Sequence, residues 1–192
     1  MTSTARLAVA ILLLVTNVGC GTVKPYPTEA PPAPEPLGER IGDDELAVAL
    51  RNALYEQGEG EVVHVSPYVY RGHVYLVGWV SGADERARVL ALAKQKAGTR
   101  PVDSYLPDRP PGSTGQKLSG DTADDLVVEQ VRDALAKVPA MVLPHVTVVS
   151  LGGHVVLLGV VASRADVAQA EAAATEVPSV TGVTNFLLPT RL

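Results

Sequence analysis

Polar and apolar positions fall into two alternating periods along this chain, and each such stretch in the first half recurs in the second. After Asp43-Asp44, the residues Leu46, Leu50, Ala53 and Leu54 recur at helical spacing; after Asp124-Asp125, Val127, Val131, Ala134 and Leu135 do the same. The aspartate pairs read as N-caps and dipole partners of those helices. Val62–Tyr70 and Pro144–Ser150 are β-branched and strand-like. Gly72 and Gly152-Gly153 supply hairpin turns, and His73–Val80 and His154–Val161 form the returning strands. Asp84–Ala97 and Arg164–Val177 are Ala-rich helices, and Val102–Leu106 and Val183–Leu188 are closing strands. Each unit therefore reads α-β-β-α-β, an α+β module with a small mixed sheet covered by two helices on one face.

The repeat needs no gap when residues 43–107 are laid on 124–188. Arg51, Ala53 and Leu54 fall on Arg132, Ala134 and Leu135; His64-Val65 falls on His145-Val146; Leu76, Gly78 and Val80 fall on Leu157, Gly159 and Val161. The expected division is residues 1–19 as signal peptide, 20–41 as tether, 42–107 as module 1, 108–122 as a Pro/Gly/Ser linker and 123–192 as module 2.

The central motif reads Gly72-His-Val74-Tyr-Leu76-Val-Gly78-Trp-Val80 in the first module and Gly153-His-Val155-Val-Leu157-Leu-Gly159-Val-Val161 in the second. With the Ala-rich helix and the Val180-Thr-Gly182-Val183-Thr-Asn185 ending, it resembles the BON domain. Module 1 departs at its end, with Gly98-Thr-Arg-Pro101-Val102-Asp-Ser104. The tandem arrangement is similar to that of the dual-BON outer-membrane lipoproteins of the DolP type. That resemblance implies a periplasmic lipoprotein that supports envelope integrity and binds anionic phospholipid through its second module.

The N-terminus agrees with that expectation. Arg6 precedes an apolar run from Leu7 to about Val15, followed by small residues, the layout of a secretory signal. The run is too short for a membrane span, which needs roughly 20 apolar residues. Val18-Gly19-Cys20 looks like a bacterial lipobox, with Asn17 where Leu is usual. Cys20, the single cysteine, is the expected lipidation site. Residues 21–38, GTVKPYPTEAPPAPEPLG, read as an extended Pro-rich tether. Gly21 after the cysteine favours the outer over the inner membrane, so the expected location is the periplasmic face of the outer membrane.

Composition narrows the classes. The net charge of -5 argues against a general nucleic-acid binder. One cysteine excludes an intramolecular disulfide framework and a Cys-based zinc site. The four histidines, His64, His145, His73 and His154, pair through the duplication and lack acidic companions at ligand spacing, so no metal site and no cofactor is expected. No nucleophile elbow, carboxylate pair or P-loop is present, and no catalytic residue is expected. Gly78 and Gly159 lie inside strands, where helix packing could require a missing side chain.

Two surfaces remain as candidates. Val74, Leu76, Gly78 and Val80 should face the helices, which turns Tyr75, Val77 and Trp79 the other way, with Val156, Leu158 and Val160 in module 2. Two readings of these apolar faces are open: the modules bury them against each other or against the linker, or Tyr75, Trp79, Val156 and Leu158 form a surface for self-association or for other envelope proteins. The second candidate is the first helix of module 2. Leu126 replaces Glu45 of module 1 and lies roughly 125° from the core stripe. The helix runs into an apolar segment containing Met141, Val142 and Leu143, with Arg132 and Lys137 available to lipid headgroups. Contact with an anionic phospholipid membrane and contact with module 1 are both open there. A denser basic set, Arg86, Arg88, Lys94, Lys96 and Arg100, lies on or just after the Ala-rich helix of module 1 and reads first as a solvated face.

Overall fold

The computed structural model describes residues 37–57, 64–111, 122–139 and 141–191. The expected signal peptide, the lipidation site Cys20 and most of the tether and linker lie outside these residues. Module 1 consists of α1 (Leu37–Gln57), β1 (Val65–Tyr70), β2 (His73–Gly78), α2 (Ala83–Ala97) and β3 (Val102–Tyr105). Module 2 consists of α3 (Thr122–Leu135), a 3-10 turn (Leu143–His145), β4 (Val146–Leu151), β5 (His154–Val161), α4 (Arg164–Thr175) and β6 (Gly182–Pro189). The first hairpin strands keep the register of the repeat: Val65 and Tyr70 bound β1, and their counterparts Val146 and Leu151 bound β4.

Each sheet is mixed. In module 1 the order is β1-β2-β3, with β2 antiparallel to β1 and parallel to β3. Module 2 repeats this as β4-β5-β6. Both parallel connections run through an Ala-rich helix, which packs its small face on the sheet. Val89, Ala93 and Ala97 of α2 meet Leu50 and Leu54 of α1 over Val74, Leu76 and Val80. Ala170 and Ala174 of α4 meet Val131 and Leu135 of α3 over Val155, Leu157 and Val161. The two helices lie on one face of each sheet, in agreement with the period-2 reading.

Helix α4 starts at a reciprocal capping box, with Ser163 and Asp166 satisfying each other's backbone amides. The aspartate pairs act differently from the expected caps. Asp43 lies inside α1, whose first turn begins at Leu37, and its carboxylate accepts the Gly72 N–H at 2.9 Å. Asp124 accepts from the Ser150 hydroxyl and from the Gly152 and Gly153 amides at 2.6–3.1 Å. In each module this residue ties the first helix to the hairpin turn, where tight curvature leaves backbone N–H groups without a strand partner.

The role expected for Gly78 and Gly159 is also corrected. A β-carbon on Gly78 would lie 1.9 Å from the His64 carbonyl oxygen, and one on Gly159 would lie 2.0 Å from that of His145. The missing side chain makes room for the neighbouring strand's backbone, not for a helix. Both glycines also have positive φ, 157° and 126°, which other residues rarely adopt.

A side chain meets one backbone group just after β3 and one on β6. Arg86 of α2 donates from Nε to the Leu106 carbonyl at 2.9 Å and from its guanidinium to Asp108 at 2.7 Å. Module 2 has Val167 at the matching place. There Asn185 accepts the Leu187 amide at 3.1 Å and donates to the Val167 carbonyl at 3.0 Å. Two different residues thus engage backbone groups at the same place in the two modules.

Candidate functional site

The two sheets face each other. Tyr75, Val77, Val149, Leu151, Val156 and Leu158 form a third buried cluster, ringed by Tyr68, Tyr70, Trp79, Tyr105, Phe186 and Leu188. The chain is therefore a four-layer α-β-β-α arrangement with helices outermost. Six of the eight aromatic residues lie in this cluster, so their scarcity reflects concentration at one place. Module 1 supplies Tyr68, Tyr70 and Tyr75, and module 2 supplies Val149, Leu151 and Val156 at the equivalent positions. Most of the rings in the cluster come from module 1, and Phe186 comes from module 2.

Specific contacts fix the orientation. The Tyr70 hydroxyl, beside the hairpin turn of module 1, lies 2.8 Å from the Thr147 hydroxyl near the start of β4. At the other end, the ring of Trp79 covers the module 2 turn, where a β-carbon on Gly152 would touch it at 3.6 Å. The facing hairpins therefore run in opposite directions. Tyr75 packs against Phe186 with ring centroids 5.1 Å apart, and Tyr105 stacks on His154 at 4.3 Å. Burial raises the pKa of the Tyr75 hydroxyl, with Asp103 and Tyr70 adding to the rise. Burial also raises those of Tyr68 and Tyr105, so all three remain neutral phenols.

This packing corrects one sequence expectation. Tyr75 is 1% exposed, Val156 and Leu158 are fully buried, and Trp79 is half-buried. None offers the open partner surface that the sequence left possible, because each module supplies the apolar cover that the other's sheet needs. Tyr68, Tyr70, Tyr105 and Phe186 belong to the same interface and were not singled out from sequence. Their period-2 position opposite the helix-facing residues was the available signal.

The second candidate surface is divided. Leu126 is 52% exposed on α3, and Arg132 and Lys137 are exposed. Met141 and Leu143 instead pack against the core of module 2, and Val142 is half-buried. The 3-10 turn folds this segment back, with the His145 amide donating to the Val142 carbonyl at 2.9 Å and Met141 to Val138 at 3.2 Å. Leu126 lies in the first turns of α3, whereas Met141–Leu143 follow its far end, about 13 Å away along the axis. The expected contact set is thus not one compact patch. Glu129, Gln130 and Asp133 share the exposed face of Leu126 at helical spacing, and Arg132 lies about 120° around the axis from Leu126.

Among the described residues the other large exposed apolar side chains are Val48 and Tyr55 on α1, 50% and 63% exposed and two turns apart. The basic set in module 1 also separates: Arg86 is bound at the β3 edge, while Arg88, Lys94, Lys96 and Arg100 are exposed. Lys94 lies about 120° from Arg88 around α2, so these residues form no single stripe. Among the described residues no helix is long and apolar enough to cross a membrane, and no group of three or more His, Cys, Asp or Glu is placed to hold a metal ion. His73 pairs with Asp103 at 2.8 Å, and His154 with Thr184 at 2.9 Å.

The BON domain family model matches residues 42–106 and 123–188. The chain belongs to the BON-domain family. Its two BON modules coincide with the two folded repeats, and BON domains are associated with membrane or phospholipid binding. No curated protein matches the chain. Two solved structures of CdsD, a structural protein of the type III secretion system of Chlamydia trachomatis, are similar to it at 14% identity. One match covers 78% of this chain and 64% of that chain, with a TM-score of 0.31. The other, to the C-terminal domain, covers 77% and 66%, with a TM-score of 0.29. The chain thus spans 64% of the length of the first.

Proposed function

We propose that this dual-BON chain is a non-catalytic envelope lipoprotein of the DolP type, held at the periplasmic face of the outer membrane by lipid on Cys20. In this reading it binds an anionic phospholipid surface through its second BON module and supports outer-membrane integrity. The observation that carries the reading is Leu126, a large apolar side chain half exposed on α3 where the first module has Glu45. Lys137 is exposed in the turn just after α3, so a membrane lying along the helix would meet an apolar group near its start and a cation beyond its end.

Glu129 and Asp133 on the same helix oppose headgroup charge and keep the contact weak, so the covalent lipid supplies most of the attachment.

The test is cosedimentation of the unlipidated full chain with phosphatidylglycerol-containing vesicles and with neutral phosphatidylcholine vesicles. Binding to the anionic vesicles alone, lost in Leu126→Glu combined with Lys137→Glu, supports the reading. Equal binding by that variant, or no binding by the parent chain, defeats it.

A further inference from the structure

The free edges of β1 and β4 differ in a way that the duplication makes plain. A two-residue turn closes each hairpin, and the antiparallel ladder alternates from there between paired and outward-pointing residues. In β1 the outward positions are Val65, Pro67 and Val69; in β4 they are Val146, Val148 and Ser150. Pro67 has no N–H and blunts its edge, as proline does on edge strands. Its counterpart in the second copy of the repeat is Val148, which keeps an N–H and a C=O aimed away from the sheet. Unlike the β6 edge, where Asn185 caps the Leu187 amide, β4 has no described side chain bonded to Val148.

A crevice of about 170 Å³ runs beside this strand. One wall is Tyr68 of module 1, and the other is the start of α3, with Asp125 and Val128. Asp124 also lines it, but its carboxylate is occupied by Ser150 and the hairpin turn. Asp125 is exposed and unengaged by any hydrogen bond described here. Module 1 closes one side of the crevice with Tyr68, and the other lining residues belong to module 2.

We propose that this crevice binds one extended polypeptide segment of a partner protein, added antiparallel or parallel to β4 at Val148 and carrying a basic residue that meets Asp125. Main-chain bonds to the edge give such a mode its affinity, and alternate side chains give its specificity. The incoming residues would face Tyr68 and Val128 in turn. A second copy of this chain fits poorly, because its own β4 is flanked by α3 and module 1, and two flanked edges cannot approach each other. The negative wall selects a basic segment over an acidic one.

The experiment uses the full chain and a blocked octapeptide of alternating valine and threonine with one central lysine, followed by amide NMR. The expected result is that the Val148 amide shifts and becomes protected from exchange, while Val69 in module 1 does not. Val148→Pro, which copies the residue module 1 already carries, should weaken binding at least about tenfold. Asp125→Lys should weaken the lysine peptide and favour a glutamate analogue, while lowering the melting temperature only slightly, because it also removes an acidic residue from the first turn of α3. That exposed substitution decides the question if the proline variant fails to fold. An unmoved Val148 amide, undiminished binding by Asp125→Lys, or peptide-independent dimerisation in light scattering overturns the proposal.

Discussion

Tyr105 of the first BON module stacks on His154 of the second, with ring centroids 4.3 Å apart and planes within 10°. The contact joins the end of β3 to the start of β5, while Thr184 holds the imidazole Nε2 at 2.9 Å. Partial burial lowers the His154 pKa below its ordinary value of 6.5. The neutral ring is therefore the form that the docked modules favour.

This gives the pH dependence a definite sign. A histidine with a depressed folded-state pKa leaves stability unchanged above about 6.5. It removes stability as pH falls below about 6.5 towards the lowered folded value, and removes no more below that. Urea unfolding at about pH 7.5 and about pH 5.5 should show lower stability on the acid side. His154→Gln, which keeps a hydrogen-bonding group for Thr184, should reduce that difference. An unchanged pH profile in the variant would assign the effect to other groups.

The buried sheet-to-sheet contact predicts cooperative unfolding. Tyr75→Ala removes a ring that is 1% exposed and should cost about 3 kcal/mol, read by urea denaturation. Leu158→Asp places an unpaired carboxylate in the same cluster and should separate the modules before it unfolds them. Small-angle scattering should then report a larger radius of gyration with helical circular dichroism retained. A compact variant would show that the interface tolerates charge.

Three glycines separate steric from conformational cost. Gly159→Ala would press a β-carbon to 2.0 Å from the His145 carbonyl oxygen at a φ of 126°, so destabilisation of about 3 kcal/mol is expected. Gly78→Ala should behave alike at His64. Gly82 has a φ of 136° with nothing within 4 Å, so Gly82→Ala should cost only about 1 kcal/mol, from backbone strain. Thermal or chemical denaturation of the three variants checks the ranking.

The aspartates that hold the hairpin turns should differ in weight. Asp124 accepts three hydrogen bonds, whereas Asp43 accepts one and buries a second oxygen without a partner. Asp124→Ala should cost about 2 kcal/mol and Asp43→Ala less. Equal losses in the two variants would show that the turn contacts do not set the cost.

Local pattern alone reveals a great deal of this molecule. The gapless repeat, the α-β-β-α-β order and the helix-facing set Val74, Leu76 and Val80 follow from side-chain geometry, because period 2 and period 3.6 are properties of a strand and a helix taken singly. The exposure of Leu126 follows for the same reason. Tertiary structure decided the rest. Whether Tyr75 and Leu158 meet another module or another protein depends on how two sheets dock, and alternation does not encode that. The placement of Leu126 and Met141 at opposite ends of α3 depends on where the chain turns back. The purpose of Gly78, a strand backbone against its missing β-carbon, and of Asp124, a clasp on a distant turn, each arises from a contact between residues far apart in sequence. Such contacts are set by packing in three dimensions, which no local period records.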